Sequence, residues 1–150
     1  LGRMLLKEGF RVLLFGGPRE FEKLRNLADL MGKGAYVPYL LTDLSIDQEM
    51  YLSMALLKRA ALTLSVDSGG AHLSAALGTK TLVISLLSRV NKFMPVGRQV
   101  WSIYPGIECS PCPDRNMKAC GGKRWCAKGI TPQILYEAVA MLLAGEEVEQ

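Results

Sequence analysis

Residues 62–78 read LTLSVDSGGAHLSAALG, and this stretch places a strand, a tight turn and a helix in direct succession. The segment Leu62–Val66 is apolar and of strand length, so it is predicted to be a buried strand. The turn around Asp67-Ser68-Gly69 follows it, and the alanine-rich segment Gly70–Leu77 is expected to form a short helix. A strand followed directly by a helix is the repeating unit of a parallel α/β sheet.

The same alternation continues on both sides of this stretch. Arg11–Phe15 is a short apolar run that ends at Gly16-Gly17-Pro18, and Ser45 with Gln48 has the form of a helix-opening capping box. The pattern therefore predicts an α/β fold, a mostly parallel sheet with helices on both faces, whose ligands bind at the carboxyl ends of the strands. Further strands are predicted at 35–39, 81–86 and 100–104, and helices at 19–31, 45–60 and 132–143.

Composition indicates one ordinary globular domain over residues 1–150. Hydrophobic residues make up 49% and charged residues 21%, and no apolar run is long enough for a membrane span. The net charge of +4 is too small to indicate nucleic-acid binding by itself. Leu1–Glu8 is expected to be the remainder of a helix, and the chain to be a fragment of a longer protein.

The turn after the central strand is the strongest candidate site. Gly69 and Gly70 would let backbone approach a ligand closely, and the N–H groups of the next helix point towards the same space. With the Ser68 hydroxyl and the imidazole of His72, these groups would form a pyrophosphate cradle that needs no metal ion. The alternative is a strand-to-helix turn in which Asp67 or Ser68 caps the helix and His72 is a core histidine.

A second candidate is Glu20, just past the end of the first strand. A carboxylate in this position can accept hydrogen bonds from ribose hydroxyls, or it can simply complement the start of the following helix. From the residues alone, the second interpretation is favoured. The glycines at 16 and 17 lack the spacing of the dinucleotide fingerprint, so NAD binding is not indicated.

A cysteine-rich segment at 109–126 is predicted to be irregular and structural. Cys109 and Cys112 have metal-ligand spacing, whereas Cys120 and Cys126 do not match a zinc ribbon or finger. Structural zinc, two disulfides and four free thiols all remain open. The basic residues in and near the segment indicate either a solvated loop or attraction to phosphate, on a nucleotide or on an anionic lipid surface: Arg115, Lys118, Lys123, Arg124 and Lys128.

Several spaced motifs together resemble glycosyltransferase family 9, the heptosyltransferases. The main one is Asp67-Ser68-Gly69-x-x-His72-Leu73-x-Ala75-Ala76-Leu77-Gly78. The others follow in the same order over nearly the whole chain: Phe15–Pro18, Leu44-Ser45, Lys58–Ala60, Pro95-x-Gly97, Cys109-x-Pro111-Cys112 and Cys126.

The resemblance implies an enzyme of two Rossmann-like domains, the GT-B architecture, of which this chain matches the C-terminal, donor-binding one. The N-terminal domain, which binds the acceptor and carries the catalytic carboxylate, would be absent, as would a first strand with a phosphate-binding lysine before Leu1. Carried over by position, the donor diphosphate contacts are Ser68, Gly69, Gly70 and His72.

For the remaining donor groups, the resemblance places Asp67 near the sugar, Glu20 on the ribose hydroxyls and the backbone around Leu44 beside the adenine. The seven residues between Cys112 and Cys120 are more than the family pattern leads us to expect, so no metal is carried over.

The predicted function is therefore transfer of heptose from ADP-heptose to the lipopolysaccharide core, without a cofactor and with the catalytic base outside this chain. The implied location is the cytoplasm, at the inner face of a bacterial inner membrane, with peripheral lipid contact and no nucleic-acid partner. Two rival hypotheses are a non-catalytic nucleotide-binding module and a zinc-dependent nucleic-acid-binding domain that uses Cys109–Cys126 and Trp125.

Overall fold

A computed structural model describes residues 1–41, 43–86, 93–107, 109 and 120–145. The chain forms two compact units, Leu1–Leu52 and Ser53–Gln150. The expectation of one donor-binding domain over 1–150 stays a prediction. No helix in the described part of the chain is both long and apolar enough to cross a membrane.

The first unit is built around a pair of parallel strands. Val12 pairs with Ala35 and Leu13 with Tyr36, and a helix crosses over between the two strands, as parallel pairing requires. Gly32 ends this helix with φ of 99°, a value that favours glycine. The elements are α1 (Gly2–Lys7), β1 (Val12–Leu13), a 3₁₀ turn (Pro18–Glu20), α2 (Phe21–Met31), β2 (Ala35–Tyr36) and a second 3₁₀ turn (Pro38–Leu41).

Helix α3 (Ile46–Arg59) begins at the predicted capping box. The backbone N–H of Ser45 donates to Gln48 Oε1 at 3.0 Å, and the N–H of Gln48 donates to Ser45 Oγ at 3.5 Å. These bonds satisfy two donors that a helix start leaves unpaired. The sequence prediction of this helix start is confirmed.

The second unit contains a three-stranded parallel sheet in the order β3-β4-β5. Its neighbouring strands are in register, so that Val66, Ile84 and Ile103 lie side by side near their carboxyl ends. The α/β class and the parallel pairing predicted from the sequence are thereby confirmed. The elements are β3 (Thr63–Val66), α4 (Gly69–Ala76), β4 (Thr81–Ile84), β5 (Val100–Ile103), α5 (Trp125–Gly129) and α6 (Pro132–Ala144).

Small side chains bring α4 close to the sheet. Ala71, Ser74 and Ala75 are its buried residues. Beneath the helix, Ser74 Oγ lies 2.8 Å from Thr63 Oγ1 of β3 and 2.9 Å from Thr81 Oγ1 of β4. Each hydroxyl can both donate and accept, so this buried hydroxyl cluster ties α4 to two strands without leaving polar atoms unpaired.

Two lysines complete the ends of helices in the second unit. Lys58 Nζ donates to the carbonyl of Leu77, the C-cap residue of α4, at 2.7 Å, and Lys80 Nζ donates to the carbonyl of Leu142 in α6 at 2.6 Å. Carbonyls at a helix C-terminus lack intrahelical donors and carry partial negative charge, so an ammonium group stabilises both ends. Lys58, the first residue of the Lys58-Arg59-Ala60 motif, thus has a structural role at the end of α4.

Candidate functional site

The start of α4 lies directly beyond the carboxyl end of β3. Ser68 is the N-cap residue and has extended backbone, φ −154° and ψ 163°, and its carbonyl accepts from the N–H groups of Ala71 at 3.1 Å and His72 at 3.3 Å. The N–H groups of Gly69 and Gly70 precede these first bonds and therefore have no acceptor within the helix. They lie at the positive end of the helix dipole, where an anion is stabilised.

The hydroxyl of Ser68 does not cap α4. It lies 2.9 Å from Ser65 Oγ on β3, and no hydrogen bond runs from it to the first turn of the helix. The capping interpretation of Ser68 is therefore wrong, because a nearer strand hydroxyl is its partner. Ser68 Oγ is therefore not the acceptor of the N–H groups in the first turn of α4.

The two glycines face open space. A Cβ built on Gly69 would have no heavy atom within 4 Å, and one on Gly70 would approach only Ser68 Oγ, at 3.7 Å. Both residues are exposed. Nothing in the packing of the described residues requires glycine at position 69, so the small residue leaves room for a group that approaches from outside.

His72 is placed one turn into α4 with its side chain in solvent. Its side chain is 51% exposed and its Nε2 atom lies 4.0 Å from Asp67 Oδ1, while the Asp67 side chain is 27% exposed. The alternative of a core histidine is therefore wrong. The imidazole and the carboxylate both stand beside the start of α4, so each can reach a ligand bound there.

Glu20 and Leu44 belong to the first unit. Glu20 lies in the 3₁₀ turn before α2, and its Oε2 accepts a hydrogen bond from the backbone N–H of Gly17 at 2.9 Å. The carboxylate is exposed and is folded back over the glycine turn. Leu44 is half-buried and lies between the second 3₁₀ turn and α3.

An aromatic cluster in the first unit escaped the sequence analysis. The ring of Tyr39 stacks on Phe21 with centroids 5.5 Å apart and meets Phe15 edge-on at 5.9 Å. Phe15 follows β1 and Phe21 begins α2, so the cluster flanks the turn that carries Glu20. In the sequence, only the position of Phe15 at a strand end pointed to such a cluster. Its partner Tyr39 is too distant in sequence for the contact to be inferred.

The cysteine segment is described only in part. Cys109, Cys120 and Cys126 are free thiols, and the part of the chain that the structure describes contains no cluster of three or more metal-binding side chains. Cys112 and most of the loop lie outside the described residues, so the zinc hypothesis stays a prediction. The prediction that the segment 109–126 is irregular is wrong at its C-terminal end, because Cys126 lies in helix α5.

The thiol of Cys120 interacts with backbone N–H groups of the residues that follow it. The N–H of Arg124 lowers the pKa of this thiol below its ordinary value, and those of Gly122 and Lys123 act in the same direction. Gly121, Gly122 and Arg124, which follow the cysteine, have positive φ. Next to it, Lys123 Nζ lies 5.3 Å from the centre of the Trp125 ring.

A parallel α/β sheet with an open helix start beyond a strand end is an arrangement in which a phosphorylated ligand can bind. The model of glycosyltransferase family 9 (heptosyltransferase) matches residues 1–120, and the chain belongs to this family. Its function is accordingly glycosyl transfer, with a nucleotide-sugar donor and an acceptor as substrates. No curated protein and no solved structure matches the chain.

Proposed function

We propose that the chain is the donor-binding domain of a heptosyltransferase, which transfers heptose from ADP-heptose to the lipopolysaccharide core. The observation that carries the proposal is the open start of α4, where Gly69 and Gly70 are exposed and their N–H groups have no acceptor within the helix. Family membership supplies the reaction class, and the chemistry of the helix start supplies the part played by these residues.

The diphosphate is proposed to lie at the start of α4. Its oxygens would accept from the Gly69 and Gly70 N–H groups, the Ser68 hydroxyl and the His72 imidazole. Negative charge builds on the diphosphate as the glycosyl bond breaks, so these donors would stabilise the transition state more than the ground state. Because the helix dipole and these hydrogen-bond donors can stabilise the charge of the diphosphate, we propose that no metal is needed for donor binding.

The other donor contacts are proposed from the family resemblance. Asp67, at the carboxyl end of β3, would lie near the sugar. In the first unit, Glu20 would bind the ribose hydroxyls and the backbone around Leu44 would flank the adenine. The solvent exposure of the Glu20 carboxylate is compatible with this role.

We propose that the base which activates the acceptor hydroxyl is supplied by an acceptor-binding domain. Displacement at the sugar requires this proton to be taken from the acceptor side. The proposed place of the reaction is the cytoplasmic face of a bacterial inner membrane, where the lipopolysaccharide core would be the acceptor. No nucleic-acid partner is proposed.

The first test is calorimetry of the purified chain with ADP, AMP and inorganic phosphate, in the presence and absence of EDTA. We expect ADP to bind more tightly than AMP, because the second phosphate adds charge at the helix start, and EDTA to have no effect. We also expect no glycosyl transfer to a lipopolysaccharide acceptor by this chain alone. Substitution of another nucleotide sugar for ADP-heptose in the binding assay tests the choice of sugar.

Equal affinity for ADP and AMP would contradict the diphosphate site. Loss of ADP binding with EDTA would contradict binding without metal, and transfer by the chain alone would contradict the placement of the base. A chain that binds ADP but does not distinguish ADP-heptose from other ADP-sugars would retain the diphosphate site and refute the heptose assignment.

A further inference from the structure

The turn before α2 has a close contact that glycine alone permits. A Cβ built on Gly16 would lie 2.9 Å from Glu20 Oε2, 2.9 Å from Leu24 Cδ1 and 3.3 Å from Glu20 Cβ. Real Cβ atoms are not found as close as 2.9 Å to other heavy atoms, so any other residue at position 16 would force one of the two side chains to move. The Glu20 carboxylate occupies its place because Gly16 has no side chain.

The neighbouring glycine does not have this constraint. A Cβ on Gly17 would lie 3.9 Å from the same oxygen, which is ordinary van der Waals contact. Gly17 has φ −73° and ψ 169°, a conformation open to any residue, and its N–H donates to Glu20 Oε2 at 2.9 Å. The two glycines are therefore adjacent but act differently on the carboxylate.

A methyl group at position 16 would displace the carboxylate without unfolding the unit. The two atoms at 2.9 Å are the ends of flexible side chains, and Glu20 Cβ, at 3.3 Å, would have to shift by only a few tenths of an ångström. Glu20 is exposed, so its carboxylate can rotate away into solvent. Rotation would break the bond from the Gly17 N–H and remove the oxygen from its fixed position. The free energy of unfolding would change little, and the displaced atoms would be confined to Glu20 and Leu24.

We infer that Gly16 is a positioning residue, whose missing side chain holds the Glu20 carboxylate where it selects ribose over 2′-deoxyribose in the bound nucleotide. This inference rests on the proposed function. One carboxylate oxygen is held by the Gly17 N–H, and the carboxylate still has free lone pairs for the sugar hydroxyls. A nucleotide without the 2′-hydroxyl loses one of these charge-assisted bonds.

The experiment compares ADP with 2′-deoxy-ADP by calorimetry in three proteins: wild type, Gly16→Ala and Gly17→Ala. We expect wild type to prefer ADP by roughly tenfold, the ordinary size of one hydrogen bond to a charged group. The ratio should fall close to one in Gly16→Ala and stay at the wild-type value in Gly17→Ala. All three should melt within a few degrees of each other, which excludes unfolding as the cause.

A Glu20→Ala background gives the second readout. If Gly16 acts through Glu20, Gly16→Ala should cause no further change in the ratio once the carboxylate is absent, so the two substitutions should be non-additive. An unchanged ratio in Gly16→Ala, or an additive effect with Glu20→Ala, would overturn the inference. Wild type that binds ADP without preference would overturn it as well, whereas wild type that binds no ADP would refute the proposed function itself.

Discussion

Replacement of Gly69 by alanine should separate stability from ligand binding. The added Cβ would have no heavy atom within 4 Å, and Gly69 does not have positive φ, so alanine fits the backbone. Alanine also restricts the unfolded chain, which stabilises a protein by about 0.4–1 kcal/mol where the native conformation is compatible. For a chain of this size, that corresponds to a rise in Tm of about 1–4 °C.

Binding of a diphosphate should change in the opposite direction. A phosphate oxygen that accepts from the Gly69 and Gly70 N–H groups would share the open space with the new methyl group. Loss of one charge-assisted hydrogen bond costs about 1.5–3 kcal/mol, so ADP affinity should fall roughly tenfold to a hundredfold. Thermal melting and calorimetry on the same preparation measure the two effects.

Gly129→Ala is the matched control. Gly129 is also an exposed helical glycine, at the last position of α5. A Cβ built on it would approach only Pro105 Cβ, at 4.0 Å. We expect this variant to keep the ADP affinity of wild type. A Gly69→Ala variant that keeps full ADP affinity would refute the assignment of the helix start as the diphosphate site, whatever its melting temperature.

Two further predictions concern His72 and Cys120. His72→Ala should lower ADP affinity roughly tenfold, and it should not lower Tm, because the side chain is 51% exposed. His72→Gln keeps a hydrogen-bond donor and should lose less affinity. Equal ADP affinity in wild type and both variants would contradict the proposed role of His72. Alkylation of Cys120 should show its pH inflection below that of the same thiol in urea, since the N–H of Arg124 lowers its pKa only in the folded state. Peptide mass spectrometry measures the rate at this site, and coincident inflections would refute the effect.

The sequence predicted the elements around α4 well because the signals there are local. Apolar runs, the capping box at Ser45 and the glycines that end helices depend on neighbours in the chain, and β3, α4, β4, β5 and α6 lie close to their predicted bounds. The strand predicted at 35–39 is wrong at its end, because Pro38 and Tyr39 lie in a 3₁₀ turn. Strands β1 and β2 are shorter than their apolar runs, since strand ends are set by pairing between segments rather than by the segment itself.

The placement of individual polar groups was harder to predict. Ser68 has two suitable partners at the same sequence distance, the helix N–H groups after it and Ser65 before it, and only the folded geometry shows that Ser65 is its partner. Helix α5 follows Arg124, a non-glycine residue with φ of 52°, so no glycine marks its start. The contact between Gly16 and Glu20 depends on a distance that sequence spacing does not give.

The hydroxyl cluster under α4 has a consequence for how this site can vary. The distance between α4 and the sheet is set by the hydrogen bonds of Ser74 with Thr63 and Thr81. The N–H groups at the start of α4 move with the helix, so their position depends on this distance. A bulkier side chain at Ala71, which is fully buried, would lift the helix start and change the distance from the strand ends to a bound anion. The volume of the side chains beneath α4 would thus help to determine the shape of the proposed diphosphate site. Substitutions in this buried layer would alter that shape without changing any residue proposed to contact the donor.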